Sequence, residues 1–173
     1  MELTVRARNI KALQDANEKV NRSIKGAAIA IGGSAVVEDT PGQMPLKYNK
    51  GLADAYTENA RLFYKEKEIL PYLDTTASTD MGDVSLMMPV LHSLSSGIKG
   101  GLHSREYCII DKEDAYITPI KIFCCMLIDL LWDQAQEAEN ILKEYKPDLT
   151  KEQYLEMMDS MEKTIRYGTE NIE

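Results

Sequence analysis

The stretch Leu3-Thr4-Val5-Arg6-Ala7-Arg8, followed by a heptad-like run from Ile10 to Ile31 and closed by Gly32-Gly33-Ser34-Ala35-Val36-Val37-Glu38-Asp39, decides the fold reading. Leu3, Val5 and Ala7 alternate with Thr4, Arg6 and Arg8, the two-residue period of a half-buried strand. Ile10, Leu13, Ala16, Val20, Ile24, Ala27, Ala28 and Ile31 then recur at three- and four-residue spacing, which predicts an amphipathic helix. Lys11, Gln14, Asp15, Glu18, Lys19 and Arg22 fall on its solvent face. The two glycines predict the helix stop, and Ser34 to Asp39 a second strand. A β-α-β unit of this size is too small to stand alone. Its strands require partners, from a missing chain segment or from another subunit.

Working outward, Thr40-Pro41-Gly42-Gln43-Met44-Pro45 breaks regular structure and reads as a connector. Asn49 caps an expected helix to about Tyr64, and Pro71 stops any helix near Leu70. Thr75 to Gly101 reads as a short helical turn, a strand within Leu86 to Leu94, and a glycine-rich loop; Tyr107 to Ile110 predicts another short strand. The apolar run Ala115 to Trp132 is interrupted by Thr118, Pro119, Lys121 and Asp129, so a buried helix is expected there rather than a membrane span. That helix continues through Gln134 to Lys146 and stops at Pro147. Thr150, with Glu152 and Gln153 in the first turn, starts a last helix carrying Tyr154, Leu155, Met158, Met161 and Ile165.

The chain has 173 residues, enough to bury roughly 70% of its unfolded surface. Acids outnumber bases 28 to 20, for a net charge of −8, which argues against the clustered basic face of a nucleic-acid binder. Cys108, Cys124 and Cys125 are odd in number and lack CxxC spacing; buried, reduced thiols in a cytoplasmic protein are expected. The N-terminal residues lack the apolar core of a secretion signal.

Gly100-Gly101-Leu102-His103-Ser104 has the form of a metal-site turn: glycines bring the backbone close and put the imidazole on a tight loop. Glu106 or Asp111 would be the acceptor for its second ring nitrogen. A surface-loop histidine without ligand role has the same spacing. The inventory around it is short, with His92 the only other histidine and better read as a core or rim residue. A catalytic zinc needs three protein ligands and an open position. In Ser78-Thr79-Asp80-Met81-Gly82-Asp83-Val84-Ser85 two carboxylates three residues apart share one helix face, fit for a metal's outer shell or a substrate cation. Local capping by Thr79 or Asp80 explains the same residues. The chain contains no phosphate loop, H-E-x-x-H or nucleophile elbow.

Taken in order, Asn17-Glu18-Lys19-Val20 before Gly26-Ala27-Ala28, Glu38-Asp39-Thr40-Pro41-Gly42 with Pro45-Leu46, Ser78 to Ser85, Gly101-Leu102-His103-Ser104, Ile110-Asp111 and Ala115-Tyr116 resemble the C-terminal part of the zinc-dependent aminoacylase/carboxypeptidase-like metallopeptidases. The nearest branch is the amidohydrolases that include aminobenzoyl-glutamate hydrolase, and the likeness runs from Leu3 to about Tyr154.

The resemblance implies an α/β (α+β) fold in two parts. Residues 1–44 would be the second half of a lid, which often dimerises, and 45–173 the C-terminal portion of a zinc-peptidase-like catalytic domain with a helix-rich end. It implies that His103 is the last metal ligand and that Asp80, Asp83, Gly101 and Ser104 line the pocket. The cofactor would be zinc or another divalent metal, and the reaction cleavage of an N-acyl or aminobenzoyl amino acid by zinc-activated water. The family's other ligands and its general-base glutamate have no counterpart in this chain, so its catalytic set is incomplete and inactivity alone is expected. The implied partner is a missing N-terminal half or a second copy; neither nucleic acid nor membrane is expected. A non-catalytic dimerisation module is the rival reading, and an unrelated α+β protein with chance matches the third.

Overall fold

The computed structural model describes residues 1–70 and 76–168, and shows an α+β chain of helices and short antiparallel strands. The helix stop expected at Pro71 lies outside the described residues. The chain forms two compact units. The first takes its described residues from Met1–Lys47, Asp74–Met88 and Pro147–Glu173, and the second from Tyr48–Leu73 and Pro89–Lys146. The boundary near residue 44 that the resemblance implies thus falls inside the first unit's opening segment.

In the first unit, α1 (Ile10–Ala30) starts where the Asn9 side chain accepts the Ala12 N–H at 2.8 Å, satisfying one orphan donor of the first turn. It ends in paired bonds from Gly33 N to the Ala28 carbonyl (2.9 Å) and Gly32 N to that of Ile29 (3.1 Å), the six-to-one closure that glycine favours. Strand β1 (Ala35–Asp39) follows as expected.

The first strand of the expected β-α-β unit does not form, because residues 1–7 carry no regular structure. Instead β1 pairs antiparallel with β4 (Lys163–Tyr167), in the register Val37↔Ile165 and Asp39↔Lys163. The last helix, α5 (Lys151–Met161), is therefore shorter than expected and does not reach Ile165. Thr164, Ile165 and Tyr167 are strand-favouring types, and pairing with β1 sets Ile165 opposite Val37, both half-buried. Lys25 Nζ lies 6.0 Å from the Tyr167 ring centroid, a cation–π contact between α1 and β4.

The same unit holds α3 (Asp80–Val84), capped by Thr79, whose hydroxyl accepts the Met81 N–H at 3.3 Å. Met44, 1% exposed, is pressed against it. A Cβ on Gly82 would stand 1.9 Å from the Met44 carbonyl oxygen, so only glycine admits this approach. Pro45 and Ser78 form an isolated bridge alongside.

In the second unit, α2 (Lys50–Ala60) begins as expected at Asn49, whose Oδ1 accepts the Leu52 N–H at 2.9 Å. A single π-helical turn, Glu113–Ile117, leads into α4 (Thr118–Glu144). Thr118, Ile122, Met126 and Leu130 form a buried stripe at four-residue spacing, of which Met126 and Leu130 join Ile141 in a core cluster against α2. Leu52, Ala55, Tyr56, Leu91 and Ala138 close this core. The Tyr56 and Phe123 rings meet at 5.2 Å with a 59° tilt.

Asp129, the acid within the apolar run, accepts a 2.7 Å hydrogen bond from the buried Asn59 amide. The expectation of a buried helix holds for one face only. Ile120, Leu127, Ile128, Leu131 and Trp132 are exposed, since α2 covers one stripe and the apolar sequence supplies two. By length and composition alone, Glu113–Glu144 would reach across a membrane. The helix is broken, however, at Trp132–Ala135, where Asp133, Gln134 and Ala135 all have positive φ.

The strand expected within Leu86 to Leu94 does not form. Leu86 instead offers its carbonyl to Asp148 N (2.9 Å) and Leu149 N (3.2 Å), and Val90 offers its own to Asn49 N (3.1 Å), so these groups serve loop contacts rather than a ladder. A two-stranded hairpin of β2 (Ile98–Lys99) and β3 (Cys108–Ile109) completes the unit, matching the expected strand at Tyr107 to Ile110 in its central residues.

Candidate functional site

His103 stands on the loop that joins β2 to β3. Two constraints shape that loop. Gly100 has φ +90°, and a Cβ there would meet the Glu106 carbonyl oxygen at 2.4 Å, so the chain crosses itself at a point no side chain fits. The turn is then closed by Ser104 N to the Gly101 carbonyl at 3.1 Å and Tyr107 N to that of Ser104 at 3.3 Å. At the apex His103 itself adopts φ +63°, a left-handed conformation uncommon for residues other than glycine. Its side chain is exposed, while the Ser104 hydroxyl beside it is buried without a hydrogen-bond partner among the described residues.

The acceptors expected for the second ring nitrogen are not in that role. Asp111 Oδ1 instead accepts the N–H groups of Glu113 (2.9 Å) and Asp114 (3.2 Å), capping the entry to α4. No hydrogen bond joins His103 to Glu106 among the described residues, and Glu106 is exposed. His92 is half-buried, and its carbonyl accepts the Tyr48 hydroxyl at 3.1 Å, in keeping with a rim residue.

The structure brings His103, Gly101 and Ser104 together on one loop of the second unit; Asp80 and Asp83 belong to the first. There the two carboxylates act as ties. Asp80 Oδ1 accepts the Gln43 amide at 2.5 Å. Asp83 accepts Met44 N (3.4 Å) and the Tyr154 hydroxyl (3.0 Å), so one side chain holds the connector and α5 to α3. Ser85 extends the knot, accepting Lys47 N at 3.0 Å and donating to the Gly82 carbonyl at 2.6 Å. Burial, followed by the hydrogen bond and the charge of Asp83, pushes the Tyr154 phenol above its usual range.

Zinc or another divalent metal is the cofactor that the sequence pattern implies, and the donors present do not fit it by themselves. Among the described residues no three His, Cys, Asp or Glu side chains are grouped to hold a metal ion. The thiols are free but not buried as expected: Cys108 is exposed on β3, and Cys124 is exposed and Cys125 half-buried because the apolar run of α4 has more faces than α2 covers. One exposed imidazole is a single ligand, two short of a catalytic zinc site.

Sequence reasoning misses a separate polar cleft in the first unit, whose walls come from scattered segments. Asp39, at the end of β1, is clamped there by the amides of Asn17 (2.6 Å) and Asn21 (2.9 Å) from α1. The four-residue spacing of the two asparagines along the helix is the only local signal of that clamp. Comparison with protein-family models, with curated proteins and with solved structures finds no match for this chain.

Proposed function

We propose that this chain contributes one metal ligand, His103, and part of the scaffold of a metal-dependent amidohydrolase acting on N-acyl or aminobenzoyl amino acids. The remaining ligands and the general base would stand on polypeptide outside these 173 residues. In this reading the first unit carries the lid-like segment, the second carries the ligand loop, and the setting is cytoplasmic.

The observation that carries the reading is the backbone of His103. Its φ of +63° is one that glycine adopts freely, yet an imidazole occupies the apex and faces solvent. Strain kept at an exposed ring that packs against no core points to a role for that ring. The ordered motifs from Asn17 to Tyr116 support the same reading.

The isolated chain with added zinc should hydrolyse N-acetyl amino acids no faster than buffer. Mixed with the N-terminal half of an aminobenzoyl-glutamate-type amidohydrolase, it should restore turnover that His103→Ala abolishes. Turnover by the chain alone, or restored turnover indifferent to His103→Ala, would overturn the proposal.

The exposed row Ile120, Leu127, Ile128 and Leu131 favours a second reading, a non-catalytic dimerisation module. That reading requires self-association, by sedimentation velocity, that neither chelator nor His103→Ala changes.

A further inference from the structure

The cleft in the first unit encloses about 590 Å³, within the roughly 300–1,000 Å³ of small-molecule sites. Its walls are the extended residues Thr4–Arg6, one face of α1, the connector after β1, and the junction of α5 with β4. Four charged side chains line it: Arg6, Glu18, Asp39 and Lys163.

Their commitments differ. Asp39 and Lys163 are direct cross-strand partners, so their side chains leave the same face of the sheet. An ion pair would be the ordinary outcome. The Asp39 carboxylate is instead taken by the amides of Asn17 and Asn21. Among the described residues Lys163, Arg6 and Glu18 have no ion-pair partner. The cleft therefore presents two cations and two anions without ion-pair partners among the described residues, and of these only Asp39 is engaged, through Oδ2, by neutral amides; Arg6, Glu18 and Lys163 stand exposed at its walls. Gln43, steadied by Asp80 at 2.5 Å, adds an amide to the wall.

We propose that this cleft binds a small zwitterion of the amino-acid or dipeptide class. Arg6 and Lys163 take its carboxylate, a charge-assisted pairing suited to guanidinium and ammonium donors. Glu18 takes its ammonium. A simple anion would leave Glu18 as a repulsive neighbour, and a simple cation would meet Arg6 and Lys163; only a ligand bearing both charges satisfies all three. The site is independent of His103 and of any hydrolytic role.

Isothermal titration of the full chain with glycyl-leucine tests this, with acetate and methylamine as the two half-ligands. Saturable binding is expected, with Kd on the order of 1 mM or tighter, and each half-ligand at least about tenfold weaker. Lys163→Ala and Glu18→Gln should each weaken the dipeptide by about tenfold, with circular dichroism unchanged. His103→Ala should leave it untouched. Absence of saturable heat, acetate binding as tightly as the dipeptide, or indifference to both charge variants in a folded chain would each overturn the proposal.

Discussion

The Tyr154 hydroxyl donates a 3.0 Å hydrogen bond to Asp83 across 71 residues of sequence, and so ties α5 to α3. Because the acceptor is a carboxylate, Tyr154→Phe should cost about 1–2 kcal/mol of stability, read as a lower denaturant midpoint at unchanged slope. Tyr154→Phe with an unshifted midpoint would show that the bond contributes nothing.

The same phenol makes stability depend on alkaline pH. Its pKa is raised above the usual value of about 10 by burial first, then by the hydrogen bond and charge of Asp83. The unfolded chain therefore gives up this proton before the folded one does. The contribution is full below the unfolded value and is lost as pH rises through the higher folded one. Tyr64, raised chiefly by burial, acts in the same direction in the other unit. Thermal midpoints taken from pH 8 upward should fall above about pH 10, and Tyr154→Phe should flatten part of that fall.

Gly82→Ala should be among the most disruptive single-methyl changes in this chain. The added carbon would sit 1.9 Å from the Met44 carbonyl oxygen, backbone that cannot step aside as a side-chain tip can. Overpacking of this kind costs about 1–3 kcal/mol, and the upper end is expected here. Urea melts provide the measurement.

At the loop apex, His103→Gly should separate stability from function. Relief of the left-handed backbone is worth about 1 kcal/mol after glycine's own entropic penalty. The variant should melt slightly higher while failing to restore hydrolysis in the two-part assay. A lower melting point would mean that the ring packs usefully against its neighbours.

Gln134→Gly probes the break in α4. Asp133, Gln134 and Ala135 have φ of +48°, +59° and +62°, each costing roughly 1–2 kcal/mol for an ordinary residue. Glycine at the middle position should therefore raise stability. Within a continuous helix the same change would lower it by about 1 kcal/mol, so the sign of the shift in melting temperature reports the local conformation.

These elements differ in how far the sequence foretells them. Helix limits are legible because caps are local: Asn49, the Thr150–Gln153 box and Gly32-Gly33 each act within five residues of themselves. Strand β4 is not. Ile165 lies four residues beyond Met161 and so prolongs the helical period, while its pairing with Val37 is 128 residues away. The break at Trp132–Ala135 is equally silent, since Gln134 and Ala135 favour helix. In the loop between β2 and β3, Gly100 and His103 announce a tight turn at once. The bonds from Met44 and Tyr154 that occupy Asp83 are set by tertiary packing, which no spacing rule encodes.

Trp132 is the lone tryptophan of the chain, 74% exposed, and the first residue of the break in α4. Indole fluorescence therefore reads a single address in this molecule. A surface seated over the indole and the neighbouring Leu131 would shift the emission to shorter wavelength and shield it from collisional quenchers, an optical gauge that needs no added label.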